Sequence, residues 1–136
     1  MADTGLLVST ALNSGMATDH DLYKALLFDR LHVNEGMFME NIVAQMLKSS
    51  GHDLYFYSSY DKKDAANRME IDFLIVKGRR VCPIEVKSGQ RLSHVSLDKF
   101  SIKFNRTLGE RFILSDRDLS VKDGIVYLPL YMASLL

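Results

Sequence analysis

The chain has little to cross-link it, no stretch to cross a membrane with, and no net charge. Its one cysteine, Cys82, excludes an internal disulfide and fits a reducing compartment. No apolar run reaches the roughly 18 to 20 residues of a membrane helix. The acidic N-terminus lacks the basic start and apolar core of a signal peptide. These absences make the cytoplasm the expected compartment. The four histidines, His20, His32, His52 and His94, have no metal-ligand spacing with one another or with Cys82, which argues against zinc. There is no G-x-x-x-x-G-K-[ST] and no G-x-G-x-x-G, so no nucleotide site is expected within this chain. Ser/His/Asp catalysis lacks a G-x-S-x-G elbow to stand on.

What the chain does hold is an ordinary globular composition, 47% apolar and 25% charged. At 136 residues it is expected to form one domain with a real core, spanning 1–136. Its charge is unevenly spread. From Lys77 to Arg111 nine basic side chains stand against three acidic ones, while everything before that stretch has six against eleven. A phosphate backbone would be drawn to the basic stretch, although a solvated basic face has the same composition.

Met69 to Gly89 carries the strongest chemical signal. It reads as two strands joined by a turn at Lys77-Gly78-Arg79-Arg80. Strict alternation would put Met69, Ile71, Phe73 and Ile75 on one face and Glu70, Asp72, Leu74 and Val76 on the other. In the second strand Cys82, Ile84 and Val86 share a face opposite Pro83, Glu85 and Lys87. Cys82 is expected to fill core. In a hairpin, Asp72, Glu85 and Lys87 would then project from one face, with Glu85 and Lys87 about 7 Å apart along the strand. Two carboxylates and a lysine at that scale suit a divalent metal and a polarised water. The same alternation also fits a half-solvated sheet. The apolar neighbours Leu74, Val76, Val81 and Pro83 make that face look covered, and covered charges need partners.

The clearest helix is expected from Asn34 to Ser50, with Asn34 as N-cap, Gly51 as stop, and Phe38, Met39, Ile42, Val43, Met46 and Leu47 as its apolar stripe. Glu40 borders that stripe and is the mid-helix acid expected to look inward, unless it snorkels to solvent. Earlier segments read as a short helix from Asp3 or Thr4 to about Leu12, and a second built on Leu22, Ala25, Leu26 and Leu31. The abrupt Asp3-Thr4-Gly5-Leu6-Leu7 opening suggests a domain cut from a longer chain. Asp53–Tyr60 is a strand, Asp61–Arg68 a loop, His94–Asn105 a helix and Arg111–Ser115 a strand. Asp116–Gly124 is a loop, Ile125–Leu128 a last strand, and Pro129–Leu136 a terminal helix or apolar tail.

The order of a helical Glu, a strand Asp and a strand Glu-x-Lys resembles the PD-(D/E)XK nuclease superfamily, although Ile71 stands where its proline would be. Asp3-Thr4-Gly5-Leu6-Leu7, Glu40-Asn41-Ile42-Val43, Glu70-Ile71-Asp72-Phe73 and Ile84-Glu85-Val86-Lys87-Ser88-Gly89, with the Ile125–Leu130 tail, occur in a particular order. That order resembles a domain of unknown function at the C-terminus of bacterial and archaeal AAA+-type ATPases. The resemblance implies an α/β, restriction-endonuclease-like fold, a central mixed sheet of about four to five strands flanked by helices. It implies Asp72 and Glu85 as Mg²⁺ or Mn²⁺ ligands with the Val86 carbonyl as a further one. Lys87 would position the water and Glu40 would act from behind or on a second metal. Gln90, Arg91, Lys99, Lys103 and Arg106 would contact phosphates. DNA and an N-terminal ATPase module of the same protein are the implied partners. The rival expectation is a module that binds DNA or protein without cleaving.

Overall fold

The computed structural model describes residues 35–60, 68–89 and 92–136. The two N-terminal helices expected before residue 32, the Asn34 cap, most of the Asp61–Arg68 loop, and Gln90 and Arg91 lie outside the described residues.

Helix α1 spans Glu35–Ser49. Val43 and Leu47, one turn apart, are completely buried, with Met39 and Met46 packed beside them. Ile42 is 37% exposed, so the apolar stripe is narrower than expected. Gly51 ends the helix at φ +91, which lets its N–H reach the Lys48 carbonyl and the His52 N–H reach that of Leu47. Strand β1 follows at Tyr55–Ser59, then β2 at Met69–Lys77 and β3 at Arg80–Val86. The β2–β3 pair is the expected hairpin. Lys77 faces Arg80 across a two-residue turn, and Gly78 at its first central position takes φ +63.

Helix α2, Val95–Lys103, returns the chain to β4, Arg111–Ser115, which runs parallel to β3. Strand β5, Ser120–Lys122, and β6, Ile125–Pro129, form a second hairpin, and β6 lies parallel to β4. The result is an α/β fold with one mixed six-stranded sheet in the order β1-β2-β3-β4-β6-β5. The four to five strands expected are thus one short. The missing one is β5, inside the segment read as a loop. Three exposed residues give no alternation to detect. The cue was Asp123-Gly124, whose φ values of 52 and 71 make the tight turn that joins β5 to β6.

Helix α1 and the Leu130–Leu135 3₁₀ helix cover one face of the sheet, over Ile75, Cys82, Ile84, Val86, Phe112 and Leu114. Helix α2 covers the other with Leu97 and Phe100, over Met69, Ile71, Ile113 and Ile125. The central strands β3 and β4 are therefore apolar on both sides. Cys82 is buried, as expected, and desolvation pushes its thiol pKa up.

Strand β2 departs from the expected alternation. Met69 and Ile71 pack under α2, whereas Phe73 and Ile75 pack under α1. The switch is a β-bulge. Tyr57 pairs with Ile71 but Tyr55 pairs with Leu74, so β2 holds one extra residue between them. Asp72 sits in that bulge. No helix among the described residues is long and apolar enough to cross a membrane.

A carboxylate-rich depression at the end of β3

Four segments meet where β3 ends. Glu85 is the penultimate residue of β3 and only 2% exposed, enclosed by the two-sided burial of the central strands. Lys87 comes just after the strand, and its N–H still binds the Leu114 carbonyl of β4 at 2.8 Å. That bond keeps Lys87 in extended register, on the side of the sheet that Glu85 shares. The two side chains do not stand apart as the strand rise suggested. The Lys87 ammonium reaches back to Glu85 Oε2 at 2.6 Å. Glu85 Oε1 is buried without a hydrogen-bond partner.

The bulge sets the place of Asp72. Its Oδ2 accepts the Val86 N–H at 2.7 Å, filling a position that a ladder carbonyl would otherwise take. The Val86 carbonyl leaves the same edge of β3, toward β2 and Asp72. Glu40 approaches from α1, half-buried. Glu40, Asp72 and Lys87 line one depression of about 400 Å³ together with Arg68, Glu70 and Ser96, and Glu85 lies beneath its lysine.

Three carboxyl groups at this place are held above their ordinary pKa. Burial is the main cause for each. Glu40 is raised further by the charges of Asp72 and Glu70, and Glu85 by Asp72. Lys87 opposes the shift in all three, the Val86 N–H opposes it in Asp72, and the Leu97 N–H in the first turn of α2 weakly opposes it in Glu85. Acids outnumber cations among the lining residues, with Glu40, Glu70 and Asp72 set against Arg68 and Lys87. In kind, this donor set fits a hard divalent cation: oxygen ligands only, under-compensated, with one buried oxygen unpartnered. In arrangement it is set for the lysine. Among the described residues no group of three or more His, Cys, Asp or Glu side chains is placed to hold a metal.

The expected phosphate-binding residues spread along α2. Lys99 is nearest the depression, with its ammonium 3.4 Å from the Arg68 carbonyl. Lys103 is two turns beyond Ser96, donates to the Tyr57 hydroxyl at 2.8 Å, and lies over the Tyr57 and Phe104 rings. Arg106 is exposed past the far end of the helix.

Residues 35–133 match the family described as Domain of unknown function (DUF4143). The chain belongs to this family. The match spans most of the chain and includes Glu40, Asp72, Glu85 and Lys87. No curated protein matches the chain.

Within the family match lie three lining residues that sequence reasoning passed over. Arg68 and Glu70 pair at 3.0 Å on the rim, and Ser96 opens α2 opposite them. Glu70 had a signal, since it alternates with Asp72. Arg68 continues the same alternation just before the strand, whereas Ser96 had no signal, because only the β3–α2 crossover brings it to the start of β2.

Proposed function

We propose that the depression is the site of metal-dependent phosphodiester hydrolysis on DNA, in a restriction-endonuclease-like domain that works as the C-terminal part of an AAA+-type ATPase. The observation that carries the reading is the gathering of three carboxyl groups, Glu85, Asp72 and Glu40, around one lysine, each held above the usual carboxylate range mainly by burial, with one buried Glu85 oxygen lacking a close hydrogen-bond partner. Structural ion pairs rarely leave such an oxygen, because it costs desolvation without return.

Asp72 and Glu85 would hold the cation, Mg²⁺ or Mn²⁺, with the Val86 carbonyl beside them. When bound, it would polarise a phosphate oxygen and make water a better nucleophile at neutral pH. Lys87 would release Glu85 Oε2 and turn its ammonium toward the phosphate, where it offsets charge that grows as the bond breaks. Glu40, its pKa raised by burial and by the charges of Asp72 and Glu70, would take or return a proton at the rim. Lys99 would meet the substrate backbone first, before Lys103 and Arg106.

The test incubates the domain with single-stranded, duplex and branched DNA and either cation. Asp72→Asn is the control of choice, because an amide oxygen still accepts the Val86 N–H. Cleavage that disappears in Asp72→Asn supports the reading, and equal cleavage by wild type and variant exposes a contaminant.

One observation favours a second reading, a DNA- or protein-binding module of the same ATPase. The 2.6 Å Lys87–Glu85 pair already offsets charge from within. Salt-sensitive DNA binding with no cleavage under either cation would decide for it.

A further inference from the structure

A second depression, of about 300 Å³, opens on the other side of the α2 N-terminus. His94 lines it, two residues before the Ser96 that lines the first. Its other walls are Leu92, Arg117, Ser120, Lys122, Asp123 and Tyr127. The donors come from four separate segments: the β3–α2 connection, the β4–β5 loop, β5 itself and β6.

The walls are fixed by a network that contributes little else to the core. Arg111, with its side chain only 16% exposed, donates to Asp98 Oδ1 at 3.1 Å and to the Asp123 carbonyl at 2.6 Å. It also donates to Ser101 Oγ at 3.3 Å. One guanidinium therefore ties α2 to the β5–β6 turn. The other oxygen of Asp98 meets His94 Nδ1 at 2.6 Å and holds the ring against the opening. Asp123 and Gly124 adopt positive φ, which turns Lys122 back beside β6. In the β4–β5 loop the Arg117 N–H donates to the hydroxyl of the buried Ser115, so the start of that loop is anchored too.

We propose that this second depression binds a phosphate group, with Arg117, Lys122 and the Ser120 hydroxyl as donors and His94 at its side. The charge balance selects that ligand. Lys122, the Ser120 hydroxyl and Arg117, whose five N–H donors exceed what its contact within the protein uses, line the opening, and Asp123 is the one acid among the lining residues. The Asp98 carboxylate below is already engaged, one oxygen by Arg111 and the other by His94 Nδ1. A volume near 300 Å³ is small for a drug-like ligand and ample for a phosphoryl group. If the first depression cleaves nucleic acid, this one holds another phosphate of the same strand across the α2 N-terminus, and that placement rests on the function proposed above. Phosphate binding itself does not.

The experiment uses the whole 136-residue chain carrying Asp72→Asn, so that nothing is cleaved. Binding of a fluorescent single-stranded oligonucleotide is titrated against salt, with inorganic phosphate and a nucleoside monophosphate as competitors and as thermal-shift ligands. Arg117→Gln with Lys122→Gln is compared with Arg79→Gln, which changes the charge at the distant β2–β3 turn. Loss of two phosphate donors should weaken oligonucleotide binding about threefold to tenfold and lower the salt slope by about 1, with Arg79→Gln near wild type. Oligonucleotide binding sensitive to the pair, with little competition by phosphate, identifies a strand subsite. Competition and thermal shift by phosphate, lost in the same pair, identify a free-phosphate site. Unchanged affinity and slope in the double variant, with no phosphate-induced shift, overturn the proposal. None of these outcomes depends on whether the wild type cleaves DNA.

Discussion

The residue that decides most is Glu85. It is buried, one oxygen is held by Lys87, and the other has no close hydrogen-bond partner. Burial lifts its pKa, and that of Asp72, above the ordinary carboxylate value, so the native protein holds these protons to a higher pH than the unfolded chain does. The stability they contribute is full below the unfolded carboxylate pKa and is lost as pH rises through the raised folded values. Lys87→Ala removes the one cation that opposes this. It is expected to destabilise the domain by about 1–3 kcal/mol at pH 8, less than for a fully enclosed pair because the ammonium reaches solvent. The loss should be smaller at pH 5, because the raised Glu85 pKa brings its carboxyl closer to protonation as pH falls. Urea unfolding at both pH values checks it, and an equal loss at the two would disprove the account. Loss of cleavage in Lys87→Ala is therefore informative only beside a stability measurement.

Sequence alone marked Glu85, Lys87, Asp72 and Glu40, because each lies on a strongly periodic element whose faces can be read. It misjudged how they meet. A separation of two strand residues describes Cα positions, while the flexible lysine stem closes that gap. Gln90 and Arg91 lie outside the described residues, so their part in phosphate binding stays a proposal.

Among the elements, β2 and β3 show what local patterning can and cannot carry. The turn at Gly78 and the pairing of Lys77 with Arg80 follow from residue types. The bulge at Asp72 does not, because β2 keeps its period-2 spacing of apolar residues straight through it. Only the different covers of Ile71 and Ile75 reveal the switch of face. Deleting Phe73 would remove the extra residue and slip Asp72 away from the Val86 N–H. The pull of Val86 on the Asp72 carboxyl would go with it, and any cation dependence of the fold should vanish.

Gly109 offers a cleaner element-scale test. It hydrogen-bonds back to the Val81 carbonyl at 2.8 Å, and a Cβ there would stand 2.6 Å from Cys82 Sγ and 3.1 Å from Arg80 Cβ. Gly109→Ala must push β4's lead-in away from β3. A cost of about 1–3 kcal/mol is expected from overpacking. Combining it with Cys82→Ala, which vacates the sulfur, should recover part of that loss in a double-mutant cycle, and strict additivity would argue against the contact.

For the whole molecule, the sheet order brings together what the chain separates. Parallel pairing of β3 with β4 needs the α2 crossover, and that crossover sets the α2 N-terminus between two depressions, one rich in carboxylates and one in cations. If a divalent cation belongs in the first, it should raise the melting temperature more at pH 8 than at pH 5, because protonation competes with the cation for carboxylates whose pKa is raised. At a hundred times its dissociation constant the stabilisation would be about 2.7 kcal/mol. Asp72→Asn should abolish the shift. A shift that persists in Asp72→Asn, or that is equal at both pH values, would place the cation elsewhere.

Periodicity and residue type by themselves determined the α/β class, the helix at α1, the β2–β3 hairpin and the four acid and base residues, because these depend on local rules of helix, strand and turn. The tertiary structure alone decided the bulge that aims Asp72, the inward pairing of Lys87 with Glu85, and the second depression at His94, Arg117 and Lys122. Each of those depends on which distant segment covers a given face, and no local pattern encodes that.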